Sequence, residues 1–403
     1  MMFETRMETT CGCIVGVAGL AGMGFLFNAL KSGALADLAE KGLIVIDVSG
    51  QPGTGMLGHY RITANSVGDV FIDCLRDPAL RDVFRLQVES QDGTRRVCCK
   101  SLVLNLGGRQ DPQQLITSLA RQGLMLSGTT TIQSADRLLR MNVVQLREVF
   151  ASVLASNKRI TLVGGSHSAF SMLENLADAL EFAGLQELTL VHRSRIRLFY
   201  ENVQQAHAAG YQVDALQDVC PISGRVNRSG GLRYRALDIG REAALTGRVG
   251  KTGVRVKMFQ TLDGPIGDHE QARLALADSG VVVQCSGYQA VLPTLRDADG
   301  SLVRLRESKG GLDSDASGCP LDQHGRRLSG LYLFGLGAGL GVDPQLGSEP
   351  AFDGRIYGVW QFHHDASRAV LGAVINRLAH KASVVEALCA DVFAPQALRL
   401  QAG

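Results

Sequence analysis

Charge of one sign is what this sequence has least of. Over 403 residues, 41 Lys and Arg face 39 Asp and Glu, a formal net charge of +2. So even a balance offers no general attraction to nucleic acid or another polyanion. The chain also lacks any C-x-x-C. Its nine cysteines are odd in number and irregular, with Cys98 and Cys99 adjacent and Cys11 and Cys13 one residue apart. That excludes a disulfide framework, a zinc knuckle and a dithiol oxidoreductase, and implies reduced thiols in a cytoplasm, most of them in the core. The nine histidines are scattered except for the adjacent His363 and His364, so no metal site is expected.

Long apolar runs are equally scarce. One stretch, residues 9–30, is uncharged between Glu8 and Lys31 and is long enough to span a bilayer. Its five glycines, and the mixed charge of MMFETRME before it, favour a buried strand and turn over a leader or membrane span. An apolar fraction of 45% and a charged fraction of 20% exclude a disordered chain, and the length implies two or three domains. No low-complexity segment is present.

Glycine is abundant: 47 residues of 403, against roughly 7% on average. It has no collagen period and falls in clusters. Two clusters share one order of events: an apolar strand, a glycine turn, an apolar helix and a second strand ending in a polar residue. In the first, the strand Cys13–Ala18 leads to a turn, a helix through about Glu40, and Leu43–Asp47. In the second, Arg159–Val163 leads to Gly164–Ala169, a helix over Phe170–Ala183, and Leu188–Val191 ending in His192-Arg193. Two such starts predict an α/β protein with two Rossmann-like, doubly wound nucleotide-binding domains.

The chemistry of such a turn is backbone approach to a pyrophosphate at a helix N-terminus. In the first unit the best phase is Gly19, Ala21 and Gly24; an alternative uses Gly16, Gly19 and Gly22. Asp47, at the second strand end, is placed to accept from a ribose hydroxyl. In the second unit Gly164, Ser166 and Ala169 serve the same mechanics, with Ser168 beside them. Arg193 and Arg195 then follow the second strand, where a guanidinium fork suits a ribose 2′-phosphate, so this unit should prefer NADPH. His167 reads as a turn histidine without a catalytic role.

These motifs resemble the two-dinucleotide-binding-domain flavoproteins, particularly the FAD- and NADPH-dependent monooxygenases of the N-hydroxylating and Baeyer–Villiger type. LVGGSHSAF followed by LVHRS is similar to that family's NADPH-binding domain. VVVQCSGY at 281–288, with Gly287, is similar to its Ala-Thr-Gly-Tyr strand end. LVLNLGG at 102–108, with Gly108, resembles the strand closing the first FAD-binding part. LYLFGLGAGLG at 331–341, with Gly335 and Gly337, resembles the late strand that passes the flavin. The first glycine fingerprint is degenerate, and no F-x-G-x-x-x-H-x-x-x-[WY] signature is present.

The resemblance implies a discontinuous FAD domain, 1–156 plus 291–403, around an NADPH domain at 157–290. It implies a cytoplasmic enzyme in which NADPH reduces FAD and molecular oxygen donates one atom to a small-molecule substrate: an amine, a ketone or an activated ring. A flavin oxidoreductase or oxidase without oxygen insertion, and a non-catalytic flavin-binding protein, stand as alternatives. Neither nucleic acid nor a membrane is expected as partner, and a homo-oligomer is compatible. Two segments could face the flavin ring and substrate. In 51–66, Gly55 permits close approach, Tyr60, Arg61 and Ser66 could bind cofactor, and His59 and Asn65 could act at the reacting centre. In 354–365, Trp360, His363 and His364 form a wall, and Asp365 is a candidate N-cap aimed at the ring.

Overall fold

The computed structural model describes residues 8–16, 20–46, 96–105, 107–297, 299–308, 311–335, 338, 342, 347–355 and 366–379. The chain opens with β1 (Glu8–Gly16), α1 (Leu20–Lys31), α2 (Ala34–Glu40), β2 (Leu43–Ile46) and β3 (Arg96–Leu104). The helix expected to run unbroken to Glu40 is thus two helices. Gly33 lies between them at φ 76°, a left-handed conformation that ends one helix and starts the next.

β4 (Gly108–Arg109) leads to α3 (Pro112–Ala120), β5 (Thr131–Ser134), α4 (Ala135–Leu138), α5 (Val143–Ala155), β6 (Arg159–Val163), α6 (His167–Leu180) and β7 (Glu187–His192). α4 and α5 are separate helices, because Asn142 and Gln145 form a reciprocal capping box that starts α5 afresh. α7 (Val203–Ala208), α8 (Tyr234–Thr246), β8 (Arg255–Gln260), α9 (Asp268–Ala277) and β9 (Ser279–Gln284) complete this region. The chain then returns through β10 (Gln289–Ala290), β11 (Glu307–Ser308), β12 (Gly311–Leu312) and β13 (Leu331–Leu333) to α10 (Ser367–Ala379).

Two parallel sheets organise the chain. The first has the order β13-β3-β1-β2 and the second β5-β9-β6-β7-β8, with every neighbouring pair parallel. These are two Rossmann-like α/β units, and the first is discontinuous, since β13 comes from far beyond the second. The second sheet takes its edge strand β5 from residues ahead of 157. The linear division at 156/157 therefore does not coincide with the sheet boundary.

Period-two patterning explains why the second sheet is covered on both faces. Leu162, Leu190, Val281 and Val283 pack with Phe150, Phe170, Met172 and Leu176 from α5 and α6. Their neighbours Val163, Val191 and Val282 point the other way, onto Leu115, Leu119, Ala272 and Leu276 from α3 and α9. In the first sheet Cys13, Val15, Val45 and Val103 pack against Phe25, Leu26, Val370 and Val374 of α1 and α10. Burial pushes the Cys13 thiol up to about 12, so it behaves as an apolar side chain. Among the described residues no helix is long and apolar enough to cross a membrane.

Candidate functional site

In an open parallel sheet the crevice for a ligand lies at the carboxyl ends of strands whose connections leave in opposite directions. The second sheet has such a point between β6 and β9, and the first between β1 and β3. Gly16 ends β1 at the first, and Gly164 follows β6 at the second.

At the second point, Gly164 directly follows β6 at φ 144°. A Cβ on it would lie 2.6 Å from the Cys285 carbonyl oxygen at the end of β9. Only glycine allows the two strand ends to come this close. Gly165 is similarly hemmed in by the His192 Cβ, 3.2 Å from where its own would be. Ser166 is the N-cap of the 14-residue α6 yet makes no side-chain cap bond, leaving first-turn N–H groups to another acceptor. His167 and Ser168, expected in the turn, are the opening residues of the helix. Gln284 ends β9, donating from Nε2 to the Asp111 carbonyl at 3.1 Å, while its buried Oε1 has no partner among the described residues. A tight glycine turn, a helix N-terminus and an orphaned acceptor together fit a dinucleotide.

The residues after β7 separate into two kinds. His192 is buried, its Nδ1 hydrogen-bonded to the Ser194 carbonyl at 2.9 Å, and burial lowers its pKa. Arg193 is exposed. Arg195 is committed elsewhere: its guanidinium pairs with the buried Asp218 at 3.2 Å, donates to the Gln212 carbonyl and stacks on the Tyr211 ring at 4.7 Å. The two arginines expected to act together are thus not equivalent.

His167 does more than occupy a turn. Its Nε2 accepts the Arg233 backbone N–H at 3.1 Å, tying the 228–233 loop to the start of α6. Burial, reinforced by the Arg233 guanidinium, pulls its pKa down to about 4. The ring is neutral at physiological pH, protonated on Nδ1. Arg233 itself lies over the Phe199 ring at 3.7 Å and donates to the Arg228 carbonyl.

At the first switch point, Asn105 joins three strand ends. Its backbone N–H donates to the Gly16 carbonyl at 3.0 Å, and its Nδ2 donates to the Phe334 carbonyl at 2.9 Å. Its Oδ1 is buried without a partner among the described residues. Beyond Phe334, Gly335 adopts φ 115° beside Ala21 of α1, where a Cβ would sit 3.4 Å from the alanine methyl. Gly16, Ala21, Asn105 and Gly335 therefore converge on one sheet edge, while Gly22 and Gly24 continue along α1. Asn105 went unnoticed inside LVLNLGG; a polar residue interrupting an apolar strand end is the signal that could have found it.

Gly108 lies in β4, which pairs antiparallel with β10, just past Gly287. This two-stranded ribbon carries the chain from the first unit to the second and back. Gln110 reinforces it, donating to the Ser286 carbonyl at 3.1 Å and accepting from the Asp136 N–H at 2.9 Å. Gly19, Asp47, Gly55, His59, Tyr60, Arg61, Asn65, Ser66, Gly337, Trp360, His363, His364 and Asp365 lie outside the described residues. Among the described residues no His, Cys, Asp and Glu grouping could hold a metal ion.

No protein-family model matches the chain. A curated relative, the CMP-5'-(3-aminopropyl)phosphonate hydroxylase of Streptomyces rubellomurinus, is 29% identical over 89% of this chain and 95% of its own length. The chain is thus similar to a hydroxylase over most of both lengths. Solved structures with a related arrangement include a flavin monooxygenase from Stenotrophomonas maltophilia, at TM-score 0.45 and 13% identity over 90% of this chain and 99% of that one. A second is the FAD-bound cadaverine monooxygenase of desferrioxamine biosynthesis from Erwinia amylovora, at 0.42 and 12% over 93% and 95%. A third is a bacillithiol disulfide reductase from Staphylococcus aureus, at 0.43 and 11% over 92% and 99%. Overlays this loose transfer no geometry to this chain.

Proposed function

We propose that this chain is an FAD- and NADPH-dependent monooxygenase that transfers one atom of dioxygen to a small, amine-bearing molecule. The observation that carries this reading is likeness to a hydroxylase through nearly the whole of both chains. The two parallel units, each with a glycine at its switch point, supply a place for each cofactor. In this reading the unit built on the first sheet holds FAD, and the unit built on the second sheet, from β5 (Thr131–Ser134) to β9 (Ser279–Gln284), holds NADPH.

When bound, FAD supplies the two-electron exchange with nicotinamide and the reaction with dioxygen. The protein's part is binding, orientation and exclusion of water. Asn105 would offer its Oδ1, and Gly16 and Gly335 bare backbone, to the flavin nucleotide; Asp47 would accept from its ribose. Gly164 and the first turn of α6, with Ser166 and Ser168, would receive the pyrophosphate of NADPH, and Arg193 its 2′-phosphate. Arg195 supports that edge from behind through Asp218 and Tyr211. Segments 51–66 and 354–365 would supply contacts to the ring and the substrate.

The relative is named a hydroxylase of CMP-5'-(3-aminopropyl)phosphonate, an anionic nucleotide phosphonate that bears an amine. The same substrate class is proposed here on that likeness. Buried thiols at Cys13, Cys220, Cys285 and Cys319 fit a cytoplasmic setting. The test is reconstitution with FAD followed by anaerobic mixing with NADPH or NADH. Bleaching of the flavin, faster with NADPH, is expected; a protein that cannot retain FAD would refute the reading.

A further inference from the structure

Glu349 is 1% exposed, on a segment between β13 and α10. Its carboxylate faces the Ser229-Gly230 turn of the second unit. Oε2 accepts the Ser229 N–H at 2.9 Å, and Oε1 accepts the Gly230 N–H at 2.8 Å. The Ser348 hydroxyl donates to Oε2 at 3.0 Å and lies 2.8 Å from the Ser229 hydroxyl. Around this centre Arg228 donates to the Gly347 carbonyl at 2.6 Å, and the Ala351 N–H donates to the Gln217 carbonyl at 3.0 Å. Two consecutive backbone N–H groups facing one carboxylate form a small anion nest, and bonds to an ionised acceptor are the strong kind. Gly230 is closely packed: a Cβ would lie 3.1 Å from Oε1 and 3.2 Å from the Phe352 ring, so a side chain there would push the carboxylate or the ring aside.

The other end of the segment is tied to the first unit. Arg355 donates to Asp313 at 2.7 Å, and the adjoining Leu312 packs with Leu104 and Leu333 of the first sheet. The first sheet is therefore linked through the Asp313–Arg355 pair, and along the backbone of residues 349–355, to the 228–233 loop. That loop is held in turn by His167 at the start of α6.

We infer that Glu349 is a positioning residue: it clamps the nicotinamide-binding unit to the flavin-binding unit and so sets the distance over which hydride must pass. It touches neither cofactor in this scheme. The inference rests on the assignment of the two units to FAD and NADPH. Because hydride transfer depends steeply on placement, a slackened clamp costs rate more than affinity.

Glu349→Gln keeps the shape, removes the charge and turns one acceptor towards a donor. In FAD-loaded protein, exchange at the Ser229 and Gly230 amides should rise at least about tenfold. Flavin reduction at saturating NADPH should slow by about tenfold or more, with FAD content unchanged and the NADPH dissociation constant within about threefold. Unchanged amide exchange overturns the clamp. Raised exchange with an unchanged limiting reduction rate overturns its positioning role. If the Gln variant fails to fold, Ser348→Ala removes one bond and no charge; the same two changes in smaller degree are expected, and the absence of both refutes the inference. The exchange measurement needs no NADPH, so a wild-type protein that NADPH cannot reduce refutes the redox reading while the clamp is still judged by its amides.

Discussion

Acidification should weaken the second unit through a single histidine. His167 accepts a backbone N–H through Nε2 and is held at a pKa of about 4, against 6.5 in the unfolded chain. Between these values the unfolded chain binds a proton that the native protein refuses, so stability is complete above the unfolded pKa and falls as pH drops from 6.5 towards 4. The full span of 2.5 units corresponds to about 3 kcal/mol, and at pH 5 the loss is about 2 kcal/mol. His167→Gln retains an acceptor for the Arg233 N–H but cannot titrate. Urea unfolding of both proteins at pH 7.5 and pH 5 isolates the effect, because His192 and every other group titrate alike in the two. The stability of the wild type relative to the variant should drop by about 2 kcal/mol between the two pH values. Parallel stability curves would show that the ring is not held neutral, and the proposed tie between α6 and the 228–233 loop would fail with it.

Three further outcomes follow from the geometry. Gly164→Ala forces a side chain against the Cys285 carbonyl at a positive φ, and should destabilise the second unit by about 2–4 kcal/mol and abolish NADPH binding while FAD is retained; thermal melts and a fluorescence titration check both. Asn105→Ala removes the bridge to Phe334 and the orphaned Oδ1, so the fraction of purified protein carrying FAD, read from its visible absorbance, should fall severalfold. Arg193→Ala should erase most of a preference for NADPH over NADH, by about 1.5–3 kcal/mol, whereas Arg195→Ala should chiefly lower thermal stability by removing the partner of buried Asp218; equal loss of preference in both would refute the distinction.

The parts of the fold legible in the sequence are those written in local pattern. Strands β6 and β9 and the glycine turn after β6 are short apolar runs ended by small residues, and each stands where periodicity puts it. The division of the first helix at Gly33 and the fresh start of α5 at Asn142 are local too, but depend on a left-handed glycine and a reciprocal cap rather than on hydrophobic period. The membership of β5 in the second sheet has no local mark, since it is decided by pairing with Val281–Gln284 far along the chain. Glu349 is illegible for the same reason: it matters through partners more than a hundred residues away, and a lone Glu before Pro350 carries no period to betray it. Asn105 leaves one local trace, a polar residue at the end of an apolar strand, but its partner Phe334 lies beyond the reach of local pattern. Arg193 and Arg195 look interchangeable as a pair in sequence; Asp218, 23 residues beyond Arg195, is what separates them.

The most direct test of a monooxygenase is the fate of dioxygen. FAD-loaded protein, NADPH, isotopically labelled dioxygen and CMP-5'-(3-aminopropyl)phosphonate, the relative's substrate, should yield one labelled oxygen atom in the product for each NADPH consumed. Hydrogen peroxide formed in step with NADPH, and no label in the amine, would contradict the account.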